Sequence, residues 1–498
     1  MPPRPAVLTK RTLDKDLDKI THAEDVAKHV LRRLVAPGLG LIFVGLAMLF
    51  AGVYVFDRPG AMLVVAAAAL AGYMAMNIGA NDVTNNVGAA VGARAMTMSQ
   101  ALVIAAIFEV LGATVAGGEV VKTISANIVD AVQVSPVLLG WIMMAALMAA
   151  ALWINLATWM NAPVSTTHAI VGAVIGAGIS AVGPEPVNWQ VMLEITSSWI
   201  TSPLIGGLIA AGLLYLVKTL IIYRDDKVAA AQRWVPVLVA VMAGGFMAYM
   251  VLQLSPPGRF PPLTVLLIGI GIGLVSWLAA RPLVLAQARA LENRNSSLRT
   301  LFRLPLIGSA ALLSFAHGAN DVSNAVGPLS AIVHSVGIGG GGIGHPPLWV
   351  MLIGAFGISV GLLLFGPRLI RLVGEEITKL NPMRAYCVAL STAFTVIVAS
   401  WLGLPVSTTH IAVGSVFGVG FFREWYTRHS KRRIAYIRRK AESFDIDEPE
   451  EPNIHETRRR YLVRRSHFMT IIAAWIVTVP VSAALAAMIY WVMFALFV

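Results

Sequence analysis

Asp82 and Asp321 each follow an apolar run, Met62 to Ala75 and Leu304 to Ala316, and each closes the same local pattern, Gly-Ala-Asn-Asp. A carboxylate at membrane depth is costly and normally faces a partner, a cavity or an ion pathway. Glycine just ahead of it permits a helix break, which would bare backbone carbonyls beside the amide oxygens of asparagine. Asn81, Asp82 and Asn85, with Asn320, Asp321 and Asn324, are therefore expected to form a hard-oxygen site for an alkali cation. The plainer alternative is a polar network that clamps two helices.

A second pattern offers the complementary chemistry: Pro163-Val-Ser-Thr-Thr-His168 and Pro405-Val-Ser-Thr-Thr-His410. Proline is favoured at the first helical position, so both prolines are expected to start helices whose free N–H groups and positive dipole ends attract an anion. Ser165, Thr166, Thr167, Ser407, Thr408 and Thr409 add hydroxyls that both donate and accept, which suits an oxyanion carrying protons. A simple N-cap explains one hydroxyl in each run, but three in a row with a histidine, twice, less well. His168 and His410 are candidates for bonding the anion, relaying protons or bracing the turn. Glu109, inside the apolar run Ala101 to Val115, is a further candidate cation ligand or proton carrier. Aligning Gly117 with Gly366 places Ile358 opposite it, so a role for Glu109 breaks the repeat.

Two buried aspartates and an oxyanion carry too much negative charge for a low-dielectric site unless something compensates. Co-transported cations supply that charge, and protonation of an aspartate is the other route. An anion such as H2PO4− can also donate a hydrogen bond to a carboxylate, whereas sulfate has no proton to give.

Both patterns belong to an internal duplication. Gly79 to Ala90 recurs as Gly318 to Leu329 with 8 of 12 positions identical, and Pro163 to Gly176 recurs as Pro405 to Gly418 with 10 of 14 identical. The spacing is kept, with 86 residues from Asp82 to His168 and 89 from Asp321 to His410. Membrane proteins with two such halves are commonly transporters whose site lies between the repeats near the bilayer midplane.

The elements that must carry these residues are apolar helices. Of the 498 residues, 57% are hydrophobic and 13% charged, against about 25% charged in an ordinary soluble domain, and the mean hydropathy is +0.74. The expected fold is an all-α polytopic membrane protein of about 10–12 transmembrane segments. It holds two homologous repeats, inversion being the preferred relation between them, with broken-helix or hairpin elements at a central site. The net charge of +12 comes from basic blocks between apolar stretches, at Lys218 to Arg233, Arg281 to Arg303 and Arg423 to Arg465. Such blocks set orientation in the membrane rather than mark nucleic-acid binding. The chain divides into a cytoplasmic arm, 1–35; a first membrane half, 36–222; middle loops and connecting helices, 223–303; a second repeat, 304–422; a charged cytoplasmic loop, 423–467; and a C-terminal transmembrane helix, 468–498, that ends outside. A single cysteine, Cys387, excludes an intrachain disulfide or a thiolate metal cluster.

At these motifs the chain resembles the PiT family of inorganic phosphate transporters. Gly79-Ala-Asn-Asp-Val-Thr-Asn85, Gly318-Ala-Asn-Asp-Val-Ser-Asn324 and both Pro-Val-Ser-Thr-Thr-His runs are similar to that family's signatures, in its order. The resemblance implies a multi-pass inner-membrane symporter that couples phosphate uptake to Na+ or H+, with inverted repeats and a site between two broken-helix hairpins. Carried over motif by motif, Asn81, Asp82, Asn320 and Asp321 would help bind phosphate and cations, and the six motif hydroxyls would line the pocket. Some members carry phosphate as a neutral complex with a divalent metal, and relatives carry sulfate. A homodimer stays open; no cofactor and no nucleic-acid partner are expected. A passive anion channel would call for a pore with repeated basic residues, and the motifs hold aspartates instead. A hydrolytic triad of Ser165, His168 and Asp82 has no reason to appear twice, and no P-loop or nucleophile elbow accompanies it.

Overall fold

In the computed structural model, residues 12–130, 133–160, 164–256, 258–338, 346–376, 381–442 and 465–497 are described. Pro163, residues 1–11 of the arm and the acidic middle of the 423–467 loop lie outside them. The described chain is helical, its only extended pairing a single bridge between Val129 and Val187. Among the described residues ten helices are long and apolar enough to cross a membrane, or eleven if one bent pair counts as a span, which meets the expected 10–12. Their outer faces carry exposed aliphatic residues such as Leu41, Leu49 and Val53, the pattern of helices solvated by lipid.

The first half begins with α1 (Thr12–Val55), continuous from the polar arm into the first span. It continues through α2 (Ala61–Gly92), α3 (Met98–Ala116), α4 (Gly118–Lys122), α5 (Pro136–Trp159), α6 (Thr166–Val182) and α7 (Trp189–Val217). Between the halves, α8 (Lys227–Leu254) and α9 (Pro262–Ala288) pack on each other, and α10 (Asn295–Leu301) follows. The stretch expected to hold middle loops and connecting helices, 223–303, contains the membrane-length helices α8 and α9. The second half holds α11 (Arg303–Asp321), α12 (Ser323–Ser335), α13 (Leu348–Glu376), α14 (Pro382–Trp401) and α15 (Thr408–His429). The basic α16 (Lys431–Glu442) and the last span α17 (Arg465–Phe497) close the chain.

The two halves interlock. α2 packs on α13 and α3 on α11, so each Gly-Ala-Asn-Asp helix lies against a helix of the opposite repeat. The glycines make this approach feasible. A Cβ at Gly79 would collide with the backbone carbonyl of Ile358, and one at Gly318 with the carbonyl of Glu109. These are the same contact in the two copies, and they confirm Ile358 as the counterpart of Glu109. They also correct the expected helix break: α2 runs unbroken through Gly79 to Asp82, and Gly79 serves helix packing rather than exposing carbonyls. In the second copy the helix is interrupted only at Val322, just after Asp321.

The other motif sits where a hairpin was expected. α5 packs on α6, and α14 on α15. α6 has 17 residues, short of the roughly 20 needed to cross. Each hairpin bends directly ahead of Ser165 or Ser407.

Candidate functional site

The Ser-Thr-Thr-His runs do not start at their prolines. Ser165 and Ser407 are the N-caps, each accepting from the backbone N–H of the histidine three residues on, at 3.2 and 3.3 Å. Pro405 lies two residues before the cap, in extended chain, because the capping serine needs extended backbone and the helix follows it. One hydroxyl of each run is thus spent on its own helix. The first threonine of each run, at the first helical position, points into the cluster, and the second lies beside it.

There the two repeats exchange partners. Asn85 of the first repeat donates to Thr409 of the second at 2.8 Å, and Asn324 of the second donates to Thr167 of the first at 3.3 Å. Thr409 donates to Asp82 Oδ1 at 3.1 Å, and Asn85 reaches the same oxygen at 3.3 Å. Thr166 Oγ1 lies 3.1 Å from Asp82 Oδ2 and 3.2 Å from Asp321 Oδ2, and Thr408 reaches Asp321 at 3.5 Å. Asn324 also approaches Thr166, at 3.4 Å. The N-termini of α6 and α15 therefore converge on two aspartates that are each only 1% exposed. Thr166 has a single hydroxyl proton and can donate to one aspartate at a time, so the pair is short of donors.

His317 answers that shortage, and nothing in the duplicated motifs pointed to it. Fully buried between three carboxylates, it lies one residue before the second Gly-Ala-Asn-Asp copy. Its Nδ1 is 2.7 and 2.8 Å from the two oxygens of Glu109. Its Nε2 faces Asp321 Oδ2 at 3.4 Å and Asp82 Oδ2 at 3.8 Å. Glu109, 1% exposed, also accepts from Asn86 at 2.6 Å. Ligand atoms of Asp82, His317 and Asp321 all lie within 4.8 Å of one another, the spacing of a cation site. Carboxylate and hydroxyl oxygens gather there, which favours a hard cation.

Other expected residues sit apart from this centre. His168 and His410 face each other with ring centroids 4.4 Å apart, and His168 lies 3.8 Å from the Trp199 ring. The Trp199 indole donates to the carbonyl of Pro405, so these rings brace the two hairpin tips against each other. Thr167 donates to the Val406 carbonyl at 3.0 Å, a further tie between the tips. Asn320 is spent on Ser400 and the Leu404 carbonyl, at 3.0 and 3.1 Å. The Asn81 amide nitrogen is buried without a hydrogen bond.

The sequence model of the phosphate transporter family matches residues 78–486. A Helicobacter pylori (strain ATCC 700392 / 26695) protein named "Putative phosphate permease" is 41% identical, over 95% of this chain and 98% of its own. One of the same name from Haemophilus influenzae is 33% identical, over 89% of this chain and 99% of its own. A solved structure titled "The sodium-dependent phosphate transporter" shares 34% identity, covers 88% of this chain and 100% of its own, and superposes with a TM-score of 0.76.

Proposed function

Because the chain belongs to the phosphate transporter family, and is a transporter rather than an enzyme, we propose that it is a secondary active symporter. It imports inorganic phosphate coupled to a cation gradient, by alternating access around the Asp82–Asp321 centre. The observation that carries this reading is the meeting of Asp82, Asp321 and Glu109 around one histidine, all buried, where the two repeats exchange hydrogen bonds. Three carboxylates against one imidazole leave negative charge even when the imidazole is protonated. Ligand atoms of Asp82 and Asp321 lie within 4.8 Å of each other, and two unit charges at that separation or closer repel by roughly 3 kcal/mol or more at an effective dielectric of about 20.

An added phosphate raises that cost, so the loaded and closed state needs cations beside it. Coupling follows: a partly filled site leaves charge buried, and only the neutralised set can pass between the two faces. Asp82, Asp321, Asn85, Thr166 and Thr409 supply oxygens to the cation. The dipole ends of α6 and α15, with Thr166 and Thr408, supply positive potential and hydroxyls to phosphate. Na+ is the first candidate for the coupling ion, since the similar solved transporter is sodium-dependent by its title; H+ carried on the carboxylate cluster is the alternative. A sulfate symporter is the competing reading of the anion.

The test is radiolabelled phosphate uptake into proteoliposomes holding the purified chain, with a Na+ gradient, an H+ gradient or neither, and with unlabelled sulfate as competitor. Transient accumulation above equilibrium under one gradient is expected and names the ion. Equilibration without accumulation under every gradient would mean a channel or uniporter, and sulfate entry without phosphate entry would reassign the anion.

A further inference from the structure

Two cavities away from the carboxylate centre follow one another along α7 and α14. The first has a volume of about 890 Å³ and lies between α7, α8, α11 and α14. Its walls are apolar, among them Leu213, Val241, Leu312, Phe394 and Trp401. The second, about 620 Å³, is lined among the described residues by Lys218, Arg299, Arg384, Arg423, Arg428 and Arg433 with one carboxylate, Glu424. Both volumes fall within the roughly 300–1,000 Å³ of ordinary ligand pockets. Val217 and Ile221 wall the apolar cavity, while Lys218 and Ile222, the next residues along, wall the basic one. On α14, Tyr386 and Arg384 divide in the same way.

The basic pocket is built rather than incidental. Lys218 is buried, and its ammonium lies 4.3 Å from the Tyr426 ring centre and 5.2 Å from that of Phe422. Arg433 is pinned by a 3.0 Å bond to the Thr427 carbonyl. Arg423, Arg384 and Arg433 all act on Lys218 as like charges, and Arg423 and Arg299 on Arg384. Among the described residues lining the pocket, six cations face one carboxylate, so an anion that enters meets a net positive wall. The basic α16 begins at the same edge, at Lys431.

One occupant matches both cavities: a molecule with an anionic phosphate at one end and a long apolar chain at the other. Free phosphate accounts for the basic pocket and leaves the apolar cavity without a use. We propose that this is a binding site for one anionic phospholipid. Its head phosphate is held by Lys218, Arg384 and Arg423, and an acyl chain lies in the cavity between α7, α8 and α14. α15 carries Arg423 near one end and Thr408 and Thr409 at the other, so the lipid anchors the helix whose tip faces Asp82 and Asp321.

The test is native mass spectrometry of the delipidated full chain in detergent, titrated separately with dioleoylphosphatidylglycerol, dioleoylphosphatidylcholine and inorganic phosphate. The chain should bind phosphatidylglycerol at least about tenfold more tightly than phosphatidylcholine, the effect of one charge-assisted contact or more. Arg384→Gln combined with Arg423→Gln should abolish that preference. Gly245→Phe fills the apolar cavity, since Gly245 lines it and a Cβ there meets nothing within 4 Å; it should weaken phosphatidylglycerol binding without changing phosphate binding. Equal affinity for the two lipids overturns the proposal, and that comparison needs no variant to fold. So does a Gly245→Phe chain that binds phosphatidylglycerol normally while inorganic phosphate competes for the arginines, which would assign the pocket to free phosphate.

Discussion

Replacing His317 by glutamine tests the electrostatic reading of the centre most directly. One imidazole stands 2.7 and 2.8 Å from the oxygens of Glu109, 3.4 Å from Asp321 and 3.8 Å from Asp82. Removing one member of a buried ion pair costs about 3–5 kcal/mol, because the partner is left uncompensated. Glu109 keeps Asn86 as a donor at 2.6 Å, and an amide at position 317 can return a neutral hydrogen bond of about 1 kcal/mol. The expected net loss is therefore about 2–4 kcal/mol, or roughly 30- to 1,000-fold in the folding equilibrium.

The assay is reversible unfolding in mixed micelles for His317→Gln, Glu109→Gln and the double variant, with phosphate uptake measured in parallel. If the pair is joined as described, the double variant recovers about 2 kcal/mol relative to additivity, because two amides leave no unpaired charge at the contact between positions 109 and 317. Uptake stays absent in it, since the positive end facing Asp82 and Asp321 is still missing. Additivity within about 0.5 kcal/mol, or normal coupled uptake in His317→Gln, would refute the reasoning.

Other outcomes follow from the same geometry. Asp82→Asn and Asp321→Asn should each remove accumulation while leaving the chain folded in the membrane, and normal coupled uptake in both would sink the cation-site assignment. Thr166→Val should raise the apparent cation requirement more than Thr408→Val, by about tenfold, because Thr166 faces both aspartates and Thr408 only one, at 3.5 Å; cation titrations of uptake giving the reverse order would contradict it. Gly79→Ala and Gly318→Ala should each destabilise by about 1–3 kcal/mol through collision with a helix backbone. Only Gly318→Ala displaces Glu109, so of the two it should lower uptake more in protein that remains folded, and equal uptake would count against that link.

The span count and the all-helical class were legible because apolar runs of membrane length need no partner to be recognised. The 223–303 stretch reads as loops and connecting helices because basic residues flank it, and the structure shows that α8 and α9 are both of membrane-crossing length. Gly79 was misread for a physical reason. In isolation glycine signals a break, and its true neighbour, the Ile358 carbonyl, is distant in sequence and invisible to local reasoning. The serine of each motif is open to two readings: its oxygen caps the helix through a 3.2 or 3.3 Å bond from the histidine N–H, and its own hydroxyl proton can still donate to an anion. His317 and Asn86 carry no signal in a pattern built on residues kept in both copies. In the duplicated register their counterparts are Ile78 and Ala325, so the repeat argument discards them. Glu109 escaped that filter only because a carboxylate in an apolar run stands out by itself.

Those three residues that break the repeat touch one another: Asn86 and His317 both bond Glu109. The centre is thus a two-fold core of aspartates, asparagines and threonines with one asymmetric appendage that delivers a single imidazole nitrogen to it. The consequence is unequal aspartates. Asp82 has neutral donors on both oxygens, from Asn85, Thr409 and Thr166. Asp321 shares Thr166 and the long contact with Thr408 on one oxygen, and its Oδ1 accepts no hydrogen bond from the protein. A buried carboxylate oxygen without a donor is costly, and a cation there removes that cost. Asp321 should therefore dominate cation affinity, with Asp321→Asn raising the half-saturating cation concentration for phosphate binding more than Asp82→Asn does. Isothermal titration of phosphate at stepped cation concentrations measures this, and a larger effect at Asp82 would mean that the appendage, rather than the open oxygen, sets where the cation binds.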